Sequence, residues 1–441
     1  MPRAPRRNSR PAAQPAAADA VTLALTRLGA GGDGIGTLPD GRMAYVAGAL
    51  AGETVTAIPG IRRGDGVAAR LVTVTSPSPD RVAPPCPHAA GCGGCSVQHM
   101  GDALYATWKR GLAEAALSRA GYPDAAVGPL VRSPPGTRRR ADLALRREGG
   151  RVTVGFHGRG SGAVVDIPGC LVLHPALLAA AEALRGLAAR VPMLSREGSA
   201  ILTLAPEGVD LWLVTDREPD GPARTALAAF AREAGLSRLS WSRAGETAEP
   251  IAVLAQPTIR FGAATVPLPP GAFLQATEAG EAAIVAAVMA ALAGLRDGAR
   301  VADLYAGCGT LTFPLAARFR MLAAEGDAAA VAALGKGANG AGLSGRVVAE
   351  ARDLVMRPLQ PAEQKGLDAV VLDPPREGAA AQVALLAAGP VKRIVYVSCN
   401  PNALARDAKI LHEAGFALDS AVPVDQFLWS AHLECVASFS R

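Results

Sequence analysis

The chain has 441 residues, half of them hydrophobic, and a formal net charge of +6. That length predicts two or three domains around sizeable cores, and the modest basic excess suits a polyanionic partner without requiring one. No run of about 18 apolar residues occurs, so no membrane-spanning helix is expected.

Residues 1–20 carry Arg3, Arg6, Arg7 and Arg10 among Pro and Ala, without the apolar stretch of a secretory signal, and read as a disordered basic tail. The seven cysteines are Cys86, Cys92, Cys95, Cys170, Cys308, Cys399 and Cys435. An odd count without an export signal points to the cytoplasm, where thiols serve as ligands, nucleophiles or core fillers rather than disulfides.

Residues 21–78 read as a small β-barrel. Val21-Thr22-Leu23-Ala24-Leu25 alternates apolar with small or polar side chains, 29–36 reads as a glycine-rich turn, and 43–46, 53–57 and 69–74 supply further short strands. Ser76-Pro77-Ser78-Pro79 reads as a linker. Residues 102–120 read as a helix with Leu104, Trp108, Leu112 and Ala116 on one apolar face. Residues 131–265 are strand-rich, for example at 151–156 and 209–214, and suggest an antiparallel α+β insert.

From about 271 the pattern alternates: helix 276–295, strands 300–304 and 321–325, helix 327–339, strands 368–372 and 393–397, helix 402–414 and a last strand 434–438. Such repetition predicts a parallel, doubly wound sheet, hence an α/β fold class with a Rossmann-like domain. The expected division is 1–20 tail, 21–78 barrel, 79–99 with 131–265 as a central α+β domain, and 100–130 with 266–441 as the doubly wound domain.

Asp303-Leu304-Tyr305-Ala306-Gly307-Cys308-Gly309-Thr310 joins a strand to a helix through Gly-x-Gly, but lacks the third glycine of the dinucleotide fingerprint. The next strand ends at Glu325, where a carboxylate can accept hydrogen bonds from both ribose hydroxyls. Asp353 follows the third strand, near where an adenine edge would lie, and Asp373-Pro374-Pro375-Arg376 follows the fourth. This order resembles Rossmann-like methyltransferases that use S-adenosylmethionine.

Ser398-Cys399-Asn400-Pro401 places a thiol between an apolar strand and a helix start, whose N–H groups are expected to lower its pKa. A thiolate added to C6 of a uracil loads electron density onto C5, which can then take a methyl group; a base must afterwards remove the C5 proton. Cys399 suits the nucleophile. Glu434, at the start of an apolar strand and costly to bury without a task, suits the base. Asp373 and Gln275 can orient the uracil edge or the cofactor. Cys308 and Cys435 read as packing residues.

Cys86-Pro87-His88-Ala89-Ala90-Gly91-Cys92-Gly93-Gly94-Cys95 gathers three thiols in a loop of small residues, with Cys170 as the fourth cysteine of the region. Four thiolates suit either tetrahedral zinc or an iron–sulfur cluster, and His88 can compete as a ligand.

Taken together, the Cys-x5-Cys-Gly-Gly-Cys stretch followed by Gln98-His99, the Gly307 turn, Asp373-Pro-Pro-Arg, Ser-Cys399-Asn-Pro and His432-Leu-Glu434 resemble the bacterial RNA uridine-C5 methyltransferases, in their ribosomal RNA branch. The resemblance spans roughly 21–441. It implies an RNA-binding TRAM barrel over 21–78, a [4Fe–4S] cluster on Cys86, Cys92, Cys95 and Cys170, and Cys399 and Glu434 as nucleophile and base. It also implies S-adenosylmethionine held by Gln275, Tyr305, Thr310, Glu325, Asp353 and Asp373, and 23S ribosomal RNA as the partner of a cytoplasmic monomer. Phe427-Leu428-Trp429-Ser430-Ala431-His432 departs from the family's Phe-Pro-x-Thr, which bears on the choice of target base.

A uridine must leave its stack to reach Cys399, and Arg138, Arg139, Arg140, Arg146, Arg147 and Arg151 form the densest basic run available for phosphates. Three other readings compete: a transfer-RNA uridine methyltransferase, a non-catalytic iron–sulfur RNA-binding factor of ribosome assembly, and an amino-group methyltransferase built on the Asp-Pro-Pro turn. The second and third need no thiol at Cys399.

Overall fold

The computed structural model describes residues 19–190 and 193–441, so that of the basic tail read over 1–20 only Asp19 and Ala20 are among the described residues. The chain divides into two compact units. One holds the chain up to Lys109 together with 156–165 and 429–431; the other holds 110–155, 166–428 and 432–441.

In the first unit, β1 (Val21–Leu28), β2 (Gly34–Thr37), β3 (Met43–Val46), β4 (Thr54–Arg63) and β5 (Gly66–Ser76) close into a barrel in the order β1-β2-β3-β5-β4. Alternation turns Leu23 and Leu25 inward onto Val46, Val55 and Val67. Each such side chain contributes roughly 1.5–3 kcal/mol when fully buried. One expectation fails here: 34–37 is a strand, not part of a turn. A Cβ at Gly36 would stand 2.6 Å from the Ala24 carbonyl oxygen, and one at Gly34 3.0 Å from that of Ala49. These glycines allow backbones to approach inside a narrow barrel rather than reverse the chain.

Helix α1 (Asp102–Arg119) runs on from this unit. Trp108, Leu112 and Ala116 are buried as expected, but so are Tyr105, Lys109, Ala113 and Leu117, a second row one position along.

The second unit begins with β6 (Val131–Arg132), β7 (Arg140–Glu148) and β8 (Arg151–His157), and after the short β9 (Val164–Asp166) continues through α2 (Pro175–Arg190), β10 (Glu197–Ala205), β11 (Gly208–Thr215), α3 (Gly221–Glu233), β12 (Leu236–Ser242), β13 (Glu249–Val253) and the hairpin β14 (Thr258–Phe261) and β15 (Ala264–Pro267). Its first sheet runs β13-β12-β11-β10-β7-β8. The expectation of an antiparallel insert needs one correction: β11 and β12 are parallel, because α3 carries the chain back across between them.

The rest is α4 (Glu278–Ala291), β16 (Arg300–Leu304), α5 (Thr312–Ala316), β17 (Arg320–Glu325), α6 (Ala328–Gly340), β18 (Val347–Ala351), β19 (Ala369–Leu372), α7 (Ala380–Ala388), β20 (Arg393–Ser398), α8 (Pro401–Glu413), β21 (Ala417–Asp425) and β22 (Glu434–Ser440). Among the described residues these strands and β6 form an eight-stranded sheet, β18-β17-β16-β19-β20-β22-β21-β6. The run from β18 to β20 is parallel, as expected of a Rossmann-like α/β fold. β22 is antiparallel to both β20 and β21, which the purely parallel expectation missed. Side-chain caps start the helices where the expected boundaries fall: Thr277 for α4, Asp327 for α6 and Asn400 for α8. The chain leaves β16 toward β17 and β18 and returns to β19 on the other side. That reversal opens a crevice at the carboxyl ends of β16 and β19.

Candidate active site

The turn after β16 is pinned at its start, where the Tyr305 and Ala306 N–H groups donate to the Ala324 carbonyl at 2.9 and 3.1 Å. Tyr305 holds φ +64°, a left-handed conformation seldom taken by a bulky side chain and common at functional sites. Gly307 has φ +54° with nothing within 4 Å of where its Cβ would stand, so a ligand can approach the backbone there. The Glu325 carboxylate accepts the Gly307 N–H at 2.9 Å and the Asp327 N–H at 2.8 Å, which orients it while each oxygen keeps a lone pair for a further donor. Thr310 is half-buried at the far end of the turn.

The Arg352 N–H donates to the Glu325 carbonyl at 2.7 Å, which sets Asp353 beside the end of β17. The exposed Asp353 carboxylate caps the next turn through the Val355 and Met356 N–H groups at 2.9 and 3.1 Å.

Beneath the turn lies a carboxylate that the sequence reading passed over. Asp303 is fully buried, accepts the Thr312 hydroxyl at 2.6 Å, and its Oδ1 meets no hydrogen-bond donor among the described residues. Burial pushes its pKa up to about 7, with the Glu325 charge adding to the rise and Thr312 opposing it. Asp373 follows β19 and accepts the Gln275 amide N–H at 2.9 Å. Its carboxyl is raised by burial and by the charge of Asp303, against the Gln275 hydrogen bond.

Cys399 lies one residue beyond β20. In the β20–β22 pair, Ser398 stands opposite Cys435, so the following pair along that register is Cys399 and Glu434. Glu434 is buried and accepts a hydrogen bond from the Gln426 amide at 3.2 Å. The expected lowering of the Cys399 pKa does not occur. Burial pushes the thiol up to about 12, the negative charges of Glu434 and Asp373 push the same way, and Arg376 alone opposes them among the charged neighbours. Burial, joined by two carboxylates, outweighs the helix start, whose Asn402 N–H is already taken by the Asn400 side chain at 3.1 Å. Cys308 and Cys435 are buried, each pushed by burial up to about 12, as suits packing residues.

Gln275, Asp373, Cys399 and Glu434 thus meet at one end of the sheet, with Tyr305, Thr310, Glu325 and Asp353 along the neighbouring turns. The sequence reading missed the supports. Asn400 donates to the Arg376 carbonyl at 2.9 Å, and Arg406 donates to that of Glu377 at 2.8 Å. The fully buried Asp407 accepts the Ala379 N–H at 2.8 Å and the Tyr396 hydroxyl at 2.6 Å. Together they hold the Asp-Pro-Pro-Arg loop against α8. The available signal was an aspartate on the apolar Leu404-Ala408-Leu411 face of that helix.

One expectation needs revision. Arg139 is buried, pairs with Glu281 at 2.5 Å and donates to the Gln275 carbonyl at 3.2 Å, so it supports the site from inside and offers nothing to a phosphate. Among the described residues no three His, Cys, Asp or Glu side chains gather to hold a metal ion. Cys86, Cys92 and Cys95 belong to the first unit and Cys170 to the second. The Cys86 N–H donates to Gln98 at 3.2 Å, and the Cys92 sulfur accepts the Gly94 N–H at 3.4 Å.

Residues 361–441 match the family model described as tRNA (Uracil-5-)-methyltransferase. A Caulobacter vibrioides protein named as an uncharacterized RNA methyltransferase is 41% identical over 95% of this chain and 99% of its own length. An Alkalilimnicola ehrlichii protein named 23S rRNA (uracil(1939)-C(5))-methyltransferase RlmD is 36% identical over 95% and 96%. The crystal structure of Pyrococcus abyssi tRNA (uracil-54, C5)-methyltransferase in complex with S-adenosyl-L-homocysteine is similar with a TM-score of 0.73 at 23% identity, over 95% of this chain and all of that one, and so shares the fold.

Proposed function

The chain belongs to the RNA (uracil-C5)-methyltransferase family, and we propose that it methylates C5 of a uridine in 23S ribosomal RNA through a covalent adduct on Cys399. The observation that carries this reading is that Glu434 acts electrostatically on Cys399, the two residues lying next along the register after the Ser398–Cys435 pair. A thiol beside a buried carboxylate suits covalent activation of a ring followed by proton removal, and neither RNA binding nor methylation of an amino group needs it.

S-adenosylmethionine, when bound, supplies a methyl group on a positively charged sulfur. The residues present fit it: Glu325 is oriented for ribose hydroxyls, the space above Gly307 is open, and Asp303 and Asp373 are carboxylates whose ionised forms a nearby cation favours. Gln275, Tyr305, Thr310 and Asp353 complete the cofactor set.

The Cys399 sulfur, its proton released to solvent, adds as thiolate to C6 of the extruded uracil, and the C5–C6 π pair moves toward C5 and O4. C5 then takes the methyl group, whose bond to the donor sulfur breaks with the electron pair staying on that sulfur. Glu434 removes the C5 proton, the C5=C6 bond re-forms, and the C6–S pair returns to Cys399. Arg376 is the cation placed to favour the thiolate.

The ribosomal target and the [4Fe–4S] cluster rest on the N-terminal barrel, the cysteine spacing and the resemblance. On this reading the cluster is structural, and the protein acts as a cytoplasmic monomer. Mass-spectrometric mapping of 5-methyluridine in a strain lacking the chain tests the reading. Loss at one 23S position is expected, loss in transfer RNA alone would redirect the substrate, and an unchanged map would overturn the proposal.

A further inference from the structure

Gln426 directly follows β21, fully buried, and nothing in the chemistry above assigns it a task. Its side chain makes three hydrogen bonds. Its Oε1 accepts the Ala276 backbone N–H at 2.7 Å, while its Nε2 donates to Gln275 Oε1 at 2.5 Å and to Glu434 Oε1 at 3.2 Å. Gln275 in turn donates from Nε2 to Asp373 at 2.9 Å.

The direction of this chain follows from one group. A backbone N–H can only donate, so the Gln426 oxygen must face Ala276 and both its amide hydrogens must point toward Gln275 and Glu434. Gln275, receiving a donor on its oxygen, must present its NH2 to Asp373. A single main-chain amide therefore sets the polarity of a relay from the cofactor-side carboxylate to the candidate base.

The relay is also clamped. A Cβ at Gly280 would stand 2.7 Å from the Gln426 Cβ and 3.1 Å from its Oε1, so α4 approaches Gln426 as closely as only glycine permits. The first turn of that helix is held by Thr277, which accepts the Gly280 N–H at 3.0 Å and bonds the Ser133 hydroxyl at 2.7 Å. An amide so confined cannot flip without losing the Ala276 bond.

We propose that Gln426 is a positioning residue for proton removal: it aims the Glu434 carboxylate through a donated hydrogen bond and couples its orientation to Gln275 on the cofactor side. The inference rests on the reading of Cys399 as nucleophile and Glu434 as base, and it predicts which step suffers. Loss of the amide slows C5-proton removal, so the methylated covalent adduct builds up instead of turning over.

The test uses the full chain, S-adenosylmethionine and an unmodified uridine-containing RNA, with the covalent complex read on denaturing gels and methyl transfer read in a single turnover. Gln426→Met keeps length and volume without the amide. It is expected to slow steady-state turnover roughly ten- to hundredfold, the loss of one hydrogen bond to a charged group. The first methyl transfer is retained, and the covalent complex accumulates as it does for Glu434→Gln. Gln426→Glu places a second carboxylate beside Glu434 and should move the acid limb of the kcat–pH profile upward, since two close carboxylates cannot both ionise easily. A merely structural residue would lower both steps together and leave the profile in place.

If Gln426→Met reduces turnover without accumulating complex, or turns over at the wild-type rate, the proposal is overturned. If Cys399→Ala retains activity, the covalent reading itself fails. If Cys399→Ala is dead and Glu434→Gln accumulates complex while Gln426→Met does not, only the role of Gln426 is lost.

Discussion

Ser398 stands opposite Cys435 in the antiparallel pair of β20 and β22, and the next residues along that register are Cys399 and Glu434. A parallel sheet alone would not bring a late carboxylate to the strand that bears the thiol. The antiparallel β22 does so, which on the proposed mechanism gives the returning C-terminal hairpin a chemical as well as a structural part.

Replacing Cys399 by alanine removes the sulfur of the proposed nucleophile from a half-buried position. Methylation is expected to fall by roughly 10³-fold or more, with the melting temperature held close to that of the wild type. Parallel measurement of product formation and thermal unfolding checks both.

Because burial and two carboxylates push Cys399 up to about 12, the free chain carries very little thiolate near neutrality. kcat/KM is therefore expected to rise with pH, about tenfold per unit, with no plateau below pH 9 from this group. Arg376 opposes the shift, so Arg376→Gln should give a parallel profile displaced to lower rates. A pH–rate series on both proteins tests this, and a plateau near pH 7 would show a thiol already ionised.

Asp303 is expected to make the fold more stable in mild acid than at neutral pH. Below about pH 4 the carboxyl is protonated both folded and unfolded. As pH climbs toward the folded value of about 7, the unfolded chain ionises and the buried group does not, so stability is lost across that window. Asp303→Asn removes this dependence: melting temperatures of variant and wild type should agree near pH 4 and favour the variant at pH 8.

Glu325→Gln keeps the size of the side chain and removes its charge. On the reading above it should weaken S-adenosylmethionine binding roughly ten- to hundredfold. Calorimetric titration with the cofactor in the absence of RNA measures this directly, and unchanged affinity would remove Glu325 from the cofactor set.

Much of this site could be read from local pattern. Apolar strands followed by glycine turns or acids located the Gly307 turn, Glu325 and Asp373, and caps such as Asp327 and Asn400 marked helix starts. What escaped depends on contacts between distant segments. Gln426 gains its partners from Ala276, 150 positions away in the chain, and Asp407 gains its own from Ala379 and Tyr396. The Cys399 pKa departs from the sequence expectation for the same reason: the helix start is adjacent in sequence, whereas burial and the neighbours Glu434 and Asp373 arise only through the sheet. Gly34 and Gly36 misled because a close backbone approach and a turn call for the same residue.

The cysteine set lends itself to an independent test. Protein purified without oxygen should carry iron and acid-labile sulfide in a near 1:1 ratio, as a [4Fe–4S] cluster requires, and lose both on Cys92→Ala. Zinc in their place would return the site to a tetrahedral thiolate centre.

The most direct measurement is the reaction of the full chain with S-adenosylmethionine and an RNA carrying 5-fluorouridine at the target position, where fluorine replaces the proton that Glu434 must remove. The account predicts a stable protein–RNA complex whose peptide map places the crosslink on Cys399 and whose mass includes one methyl group. A complex absent under turnover conditions, or joined through any other residue, would contradict it.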